Sequence, residues 1–219
     1  MSVLVVYPSC NEERAKASRE AWEKQGYGVM VGTDGRFGRY PGYFAGCNQL
    51  IASCWRSTTL SSTGHTWQWM EDESFEVFVC AADDIYPDPD QTADEILTKY
   101  KSQFPDLDGV MQPVGDDLGG TSEICGSPWI GRKFIENAYA GFGPYHPAYR
   151  QFYGDEELMC VAEKMGKLWM VKSVTQRHEH WLRPGIEKTE NQIYNQRYWD
   201  HDAELFKRRK ALGFPGALP

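Results

Sequence analysis

Two apolar periods alternate along this chain, and each change of period marks an element. Ser2-Val-Leu-Val-Val-Tyr7 is a short, β-branched apolar run, the pattern of a strand covered on both faces. Pro8-Ser9-Cys10-Asn11 breaks it. Over 12–25 the composition turns helical, with Ala15, Ala17, Ser18, Ala21 and Trp22 offering an inner face. Asn11 is suited to cap that helix and Gly26 to end it. A second strand over 27–33 stops at Asp34-Gly35. This strand–helix–strand opening implies a right-handed crossover and a parallel pair.

The pattern continues with a helix over 43–57 and a polar, Gly-containing loop over 61–72. A third strand, Phe75-Glu-Val-Phe-Val-Cys80, runs into Ala81-Ala82-Asp83-Asp84. Asp90 is positioned to cap a helix reaching about residue 104, and 109–114 reads as a fourth strand. A Gly- and Asp-rich loop over 115–127, a helix over 129–139 and an aromatic stretch broken by Gly and Pro over 141–153 follow. Then come a helix over 155–165, a strand over 168–174 and a last helix over 190–212, ended by Gly213 and Pro215. With no internal repeat and no low-complexity linker, the expectation is one α/β domain over 1–219, a Rossmann-like mixed sheet flanked by helices.

Composition narrows the function classes. At 219 residues the chain can bury a self-sufficient core. A formal charge of −8 argues against coating nucleic acid or anionic membrane by charge alone, although it leaves room for a local basic patch. The six cysteines are scattered without a CxxC pair, which reads as thiols in a reducing compartment and not as a zinc site. The first residues enter an apolar strand without a basic stretch, unlike a signal peptide, and no apolar run reaches membrane-spanning length. A cytoplasmic, unanchored protein is expected, in a host cytoplasm if the source is viral.

Candidate chemistry starts at Asp83-Asp84. Ligands of open α/β sheets bind at the carboxyl ends of strands, and adjacent carboxylates there repel unless a cation or a proton intervenes. Mg²⁺ or Mn²⁺ prefers such oxygen donors and bridges carboxylate to phosphate. A solvated turn accounts for the same pair equally well. His178-Glu179-His180 follows the last predicted strand, and alternation puts both imidazoles on one side, as metal ligands or as a packed histidine pair. Asp155 opens a predicted helix, where a carboxylate also serves as a cap or dipole partner. Lys207-Arg-Arg-Lys210 suits a solvated helix end better than a binding patch.

Taken in order, several pieces resemble GT-A-fold glycosyltransferases, in particular compact members of the large inverting family that uses nucleotide sugars. The pieces are Pro8-Ser9-Cys10-Asn11-Glu12-Glu13 after the first strand, Asp34 after the second, and Asp83-Asp84 where that family carries D-x-D. Ile130-Gly131-Arg132-Lys133-Phe134, Gly141-Phe142-Gly143 and Gly154-Asp155-Glu156-Glu157-Leu158 follow, the last standing where the family commonly has Glu-Asp-x-x-Leu. The resemblance spans about 3–181. It implies a nucleotide-sugar half over about 1–115, an acceptor half over about 116–185 and a C-terminal helix over about 190–213.

It further implies that Pro8, Asn11, Glu13, Asp34, Asp83 and Arg132 contact the donor, a UDP-sugar by preference. Asp84 would ligate the metal together with His180 or its neighbour His178. Asp155 would be the base, with Glu156 as the fallback. Such a base must reach the acceptor hydroxyl, while the metal neutralises the departing diphosphate. The loop 119–128 would close over the sugar, and Trp129 with the aromatics of 142–153 would line the acceptor side. The acceptor is a saccharide or a hydroxymethylated pyrimidine in DNA, as for viral base-modifying enzymes; a duplex acceptor requires base flipping. The rival readings are a non-catalytic nucleotide- or carbohydrate-binding module and a nucleotidyltransferase. The oligomeric state is left open.

Overall fold

The computed structural model describes residues 2–33, 42–61, 64–69, 75–116, 118, 124–141 and 143–217, with backbone alone for 55–61, 64–69 and 140. Expectations that fall on Asp34, Phe142 and 119–123 lie outside the described residues.

The chain opens with strand β1 (Val3–Pro8), helix α1 (Glu12–Lys24) and strand β2 (Gly28–Gly32). Helix α2 (Tyr43–Ala52), strands β3 (Trp55–Ser61) and β4 (Gly64–Trp69), and strands β5 (Val77–Cys80) and β6 (Ile85–Tyr86) come next. Helix α3 (Ala93–Gln103), strands β7 (Val110–Pro113) and β8 (Trp129–Gly131), and helix α4 (Arg132–Asn137) follow. The chain closes with helix α5 (Gly154–Lys164), strands β9 (Leu168–Val171) and β10 (Arg177–His178), and helices α6 (Glu190–Asn195) and α7 (Trp199–Ala211).

A six-stranded mixed sheet of order β2-β1-β5-β8-β7-β9 forms the centre. β1 runs parallel to both β2 and β5, as the opening pattern implies, and β8 runs antiparallel to its neighbours β5 and β7. Both faces are covered. Val3, Val5, Tyr7, Val77 and Val79 point to one face, where Trp22 of α1 and Ile96 and Tyr100 of α3 pack. Leu4, Val6, Phe78 and Cys80 point to the other, against Phe44 and Leu50 of α2, Phe134 of α4 and Leu158 of α5. The period of two along β1 therefore feeds two cores, which is why that strand reads as continuously apolar.

Several expectations are corrected. The helix expected over 43–57 stops at Ala52, and the backbone of β3 and β4 forms an antiparallel hairpin where a loop was expected. The 55–69 stretch is rich in Thr and Trp, residues that suit a pleated surface. Thr92, not Asp90, caps α3, through a capping box with Glu95; the Asp90 N–H instead donates to Asp88 Oδ1 at 2.9 Å. The 129–139 stretch begins as strand β8, because Trp129 and Ile130, both wholly buried, serve opposite faces of the sheet. The last helix is broken by a 3₁₀ turn at Gln196–Tyr198, after which Trp199 packs on Phe152 and Tyr153.

Candidate active site

The carboxyl ends of β1 and β5 lie side by side, Val6 opposite Cys80, so the loops that follow them meet. Ser9 Oγ donates to Asp83 Oδ2 at 2.6 Å. Asn11 caps α1, its Oδ1 accepting from the Arg14 N–H at 3.0 Å. That cap starts the helix so that Arg14, in its first turn, reaches back to the acids. Arg14 Nη2 lies 2.9 Å from Asp83 Oδ1 and 3.0 Å from Asp84 Oδ2. Gly46 lets α2 close on this corner, since a Cβ there would come within 2.9 Å of the Pro8 ring.

His178 arrives from far along the sequence. β10 pairs antiparallel with β6, His178 opposite Ile85, and the Glu179 N–H donates to the Asp84 carbonyl at 2.7 Å. The His178 Nε2 consequently sits 3.4 Å from Asp84 Oδ1. Asp116 holds the other side, accepting from the His178 N–H at 3.1 Å and pairing with Arg183. His180 stands behind, its ring 4.8 Å from that of His178 and 5.0 Å from that of Trp181. The His180 Nδ1 accepts from the Leu182 N–H at 3.3 Å, which leaves the proton on Nε2, and burial pushes its pKa down to about 4. His178, not His180, therefore turns a ring nitrogen towards Asp84.

Asp155 comes from the first turn of α5. Tyr153, just before it, takes a left-handed conformation (φ 65°), held by ring packing against Trp199 and Phe206. Gly154 then fits against the Phe44 ring, which a Cβ would meet at 2.8 Å. The incoming loop is tied by the buried Asp202, whose Oδ2 accepts from the N–H groups of Gln151 at 2.8 Å and Phe152 at 2.9 Å. Glu157, fully buried two residues on, is structural: it accepts from the hydroxyls of Tyr139 and Tyr149 and from Arg209. Arg209 thus leaves the solvated run expected at the C-terminal helix end, while Lys207, Arg208 and Lys210 stay exposed.

These groups share a cavity of about 600 Å³, within the usual range for small-molecule sites. Pro8, Asn11, Asp83, Asp84, Asp155, His178 and His180 all line it. So do residues the sequence reading passed over: Ser9, Arg14 and Tyr43, and an amide-rich wall of Gln151, Asn191, Gln192, Asn195 and Gln196. Only Arg14 carried a legible signal, because a cation in the first turn of a helix opposes its dipole.

Glu13, Glu156 and Arg132 are not among the lining residues. Arg132 follows Gly131, which pairs with Val77 at the start of β5, the opposite end of that strand from Asp83-Asp84. Trp129 is buried in the core beside Tyr27, and Tyr145 and Tyr149 are buried likewise; from that aromatic stretch Phe152 reaches the cavity.

Electrostatics separates the acids. Burial pushes Asp155 up to about 7, against the hydrogen bond it accepts from the Glu156 N–H, with the Glu156 carboxylate adding to the rise. Burial also raises Asp83, against the Ser9 hydrogen bond and Arg14. Asp84 is buried too, yet its His178 and Arg14 partners outweigh that and hold it below the ordinary aspartate value. One carboxyl is thus poised near neutrality and another stays ionised beside an imidazole.

Among the described residues there is no group of three or more His, Cys, Asp or Glu side chains that would cage a metal alone. Asp84 Oδ1 and His178 Nε2 form a two-donor edge instead. The Asp84 carboxylate, with His178 beside it, could hold Mg²⁺ or Mn²⁺, which binds through one or two carboxylates and completes its shell with phosphate and water. Comparison of the chain with protein-family models and with curated proteins gives no match.

Proposed function

We propose that this chain is a metal-dependent, inverting glycosyltransferase of GT-A type that moves a sugar from a nucleotide diphosphate to an acceptor hydroxyl. The observation that carries the reading is the convergence on one cavity of an ionised Asp84 facing His178 with an Asp155 whose pKa is pushed up to about 7. Two acids with opposite environments suit two different tasks.

When bound, a divalent cation at Asp84 and His178 supplies positive charge to the leaving diphosphate. Ser9 and Arg14 orient Asp83 and Asp84 from the side of β1 and α1. The Asp155 carboxylate accepts the proton of the acceptor hydroxyl as the new glycosidic bond forms and the bond from the anomeric carbon to the diphosphate breaks.

The carboxamides of Gln151, Asn191, Gln192, Asn195 and Gln196 suit an uncharged acceptor rich in hydroxyl or amide groups, a saccharide or an extruded pyrimidine. The donor is a UDP-sugar by preference. No helix among the described residues is long and apolar enough to cross a membrane.

The test is to incubate the protein with a panel of nucleotide sugars and Mn²⁺, and to measure released nucleotide with free sugars and with hydroxymethylated DNA. Release that depends on Mn²⁺ and on acceptor supports the reading; no release from any donor overturns it. A DNA acceptor predicts activity that falls steeply with salt. Salt-independent transfer to a free sugar selects the saccharide.

A further inference from the structure

Arg14 stands where a divalent cation needs negative charge. Its Nη2 bridges one oxygen of Asp83 at 2.9 Å and one of Asp84 at 3.0 Å, while the second Asp84 oxygen faces His178. The Asp84 side chain is 8% exposed, so water screens little of what meets there. A guanidinium and a divalent cation on this one carboxylate repel each other.

Helix stability does not account for Arg14. It lies in the first turn of α1, behind the favourable acids Glu12 and Glu13, where a cation opposes the helix dipole. Its side chain is 30% exposed and lines the cavity with Pro8 and Asn11. A diphosphate entering that cavity offers the planar Arg14 guanidinium a bidentate partner of higher charge than either aspartate.

We infer that Arg14 is a built-in counter-ion, holding the Asp83–Asp84 pair until a diphosphate draws it away, so that divalent metal and nucleotide bind cooperatively. This rests on the diphosphate-donor reading above. Without donor, Arg14 lowers metal affinity. With donor, Arg14 shifts to phosphate and the carboxylates are released to the metal. The coupling is reciprocal: metal strengthens nucleotide binding by the same factor.

The experiment measures Mn²⁺ binding by loss of the free-ion electron paramagnetic resonance signal. Wild type, Arg14→Gln and Arg14→Lys are titrated with and without UDP, and with GDP and ADP in parallel, each corrected by a protein-free control. A cation beside a carboxylate shifts its proton affinity by about 10–10³-fold, and a metal competes for the same oxygens. Arg14→Gln is therefore expected to bind Mn²⁺ alone at least about tenfold more tightly than wild type. Arg14→Lys, which keeps the charge but not the fork, should bind Mn²⁺ alone more weakly than Arg14→Gln. Nucleotide should tighten Mn²⁺ binding to wild type more than to Arg14→Gln.

Equal or weaker Mn²⁺ binding by Arg14→Gln overturns the inference, as does Arg14→Lys matching Arg14→Gln. Should Arg14→Gln fail to fold, the wild-type arm decides: Mn²⁺ affinity unchanged by every nucleotide overturns it. Absence of sugar transfer alongside the expected Mn²⁺ pattern removes the glycosyltransferase reading and leaves the counter-ion role standing.

Discussion

Arg209 near the end of the C-terminal helix and Glu157 in the helix that begins beside Asp155 form a buried, two-pronged ion pair, with nitrogen–oxygen distances of 2.8 and 2.7 Å. Tyr139 and Tyr149 complete the carboxylate, donating at 2.5 and 2.7 Å. The Asp155 side of the cavity is thus fastened to α7 at two points, this pair and the Asp202 carboxylate under the 150–152 backbone.

Breaking the pair should be costly. Arg209→Ala leaves a buried, uncompensated carboxylate, and such losses run to about 3–5 kcal/mol. At roughly 2–4 °C per kcal/mol for a chain of this size, Tm should fall by roughly 6–20 °C. Replacing both partners by apolar residues should recover part of the loss. The remainder persists because two tyrosine hydroxyls lose their acceptor. Urea melts measure this; a loss below about 1 kcal/mol for Arg209→Ala contradicts a buried pair.

Asp155→Asn should lower turnover by roughly 10²–10⁴ while donor binding survives, because the amide keeps size but accepts no proton. With burial pushing the Asp155 carboxyl up to about 7, the wild-type rate should rise with pH through that region, and the variant should lose this limb. Near-normal turnover of Asp155→Asn beside an inactive Glu156→Gln moves the base one residue on.

The same residue links pH to stability. A folded pKa of about 7 against 3.8 for the free side chain means the folded state holds a proton that the unfolded chain has lost. Stability therefore falls as pH rises from about 4 to about 7, and the cost is complete above that range. Asp155→Asn removes it. The variant should melt higher than wild type at pH 8 and with little difference at pH 4. A higher Tm at pH 4 alone reverses the sign and refutes the burial argument.

The two histidines should separate in their effects. Asp84→Asn should abolish transfer and weaken nucleotide binding in Mn²⁺. His178→Ala should weaken Mn²⁺-dependent nucleotide binding by at least about tenfold, the lower range for loss of a metal-site group. His180→Ala should cost less, because its Nδ1 is engaged by backbone. Equal losses from the two substitutions would return His180 to the metal shell.

Asp34, which follows the second strand of the sheet, is expected to contact the nucleoside. Asp34→Ala should raise the donor KM more than it lowers kcat. An unchanged donor KM removes Asp34 from the donor site.

The β1–α1–β2 opening, the apolar run into Asp83-Asp84 and the helix begun at Gly154 were all legible in the sequence. Each rests on a period, a cap or a breaker that acts within about ten residues of chain. Local pattern also put Asp84 and the histidine pair forward as candidates, the family resemblance put Asp155 forward as the base, and all of them line one cavity. Glu13 and Arg132 were put forward by motif order, which carries no information about which end of a strand a residue occupies; Arg132 lies at the far end.

What the chain determined by itself is where strands and helices begin and which carboxylates follow a buried strand, because backbone sterics and side-chain periodicity are local. Tertiary structure alone decided the partners. β8 is a strand because β5 and β7 supply its hydrogen bonds from either side, although its residues also fit a helix. His178 meets Asp84 through a two-residue ribbon, too short to leave a period, that joins positions 94 residues apart in number, 178 and 84. Arg14 becomes a counter-ion and Arg209 a buried strut because burial makes an unpaired charge costly, and only the folded chain settles which opposite charge lies within reach.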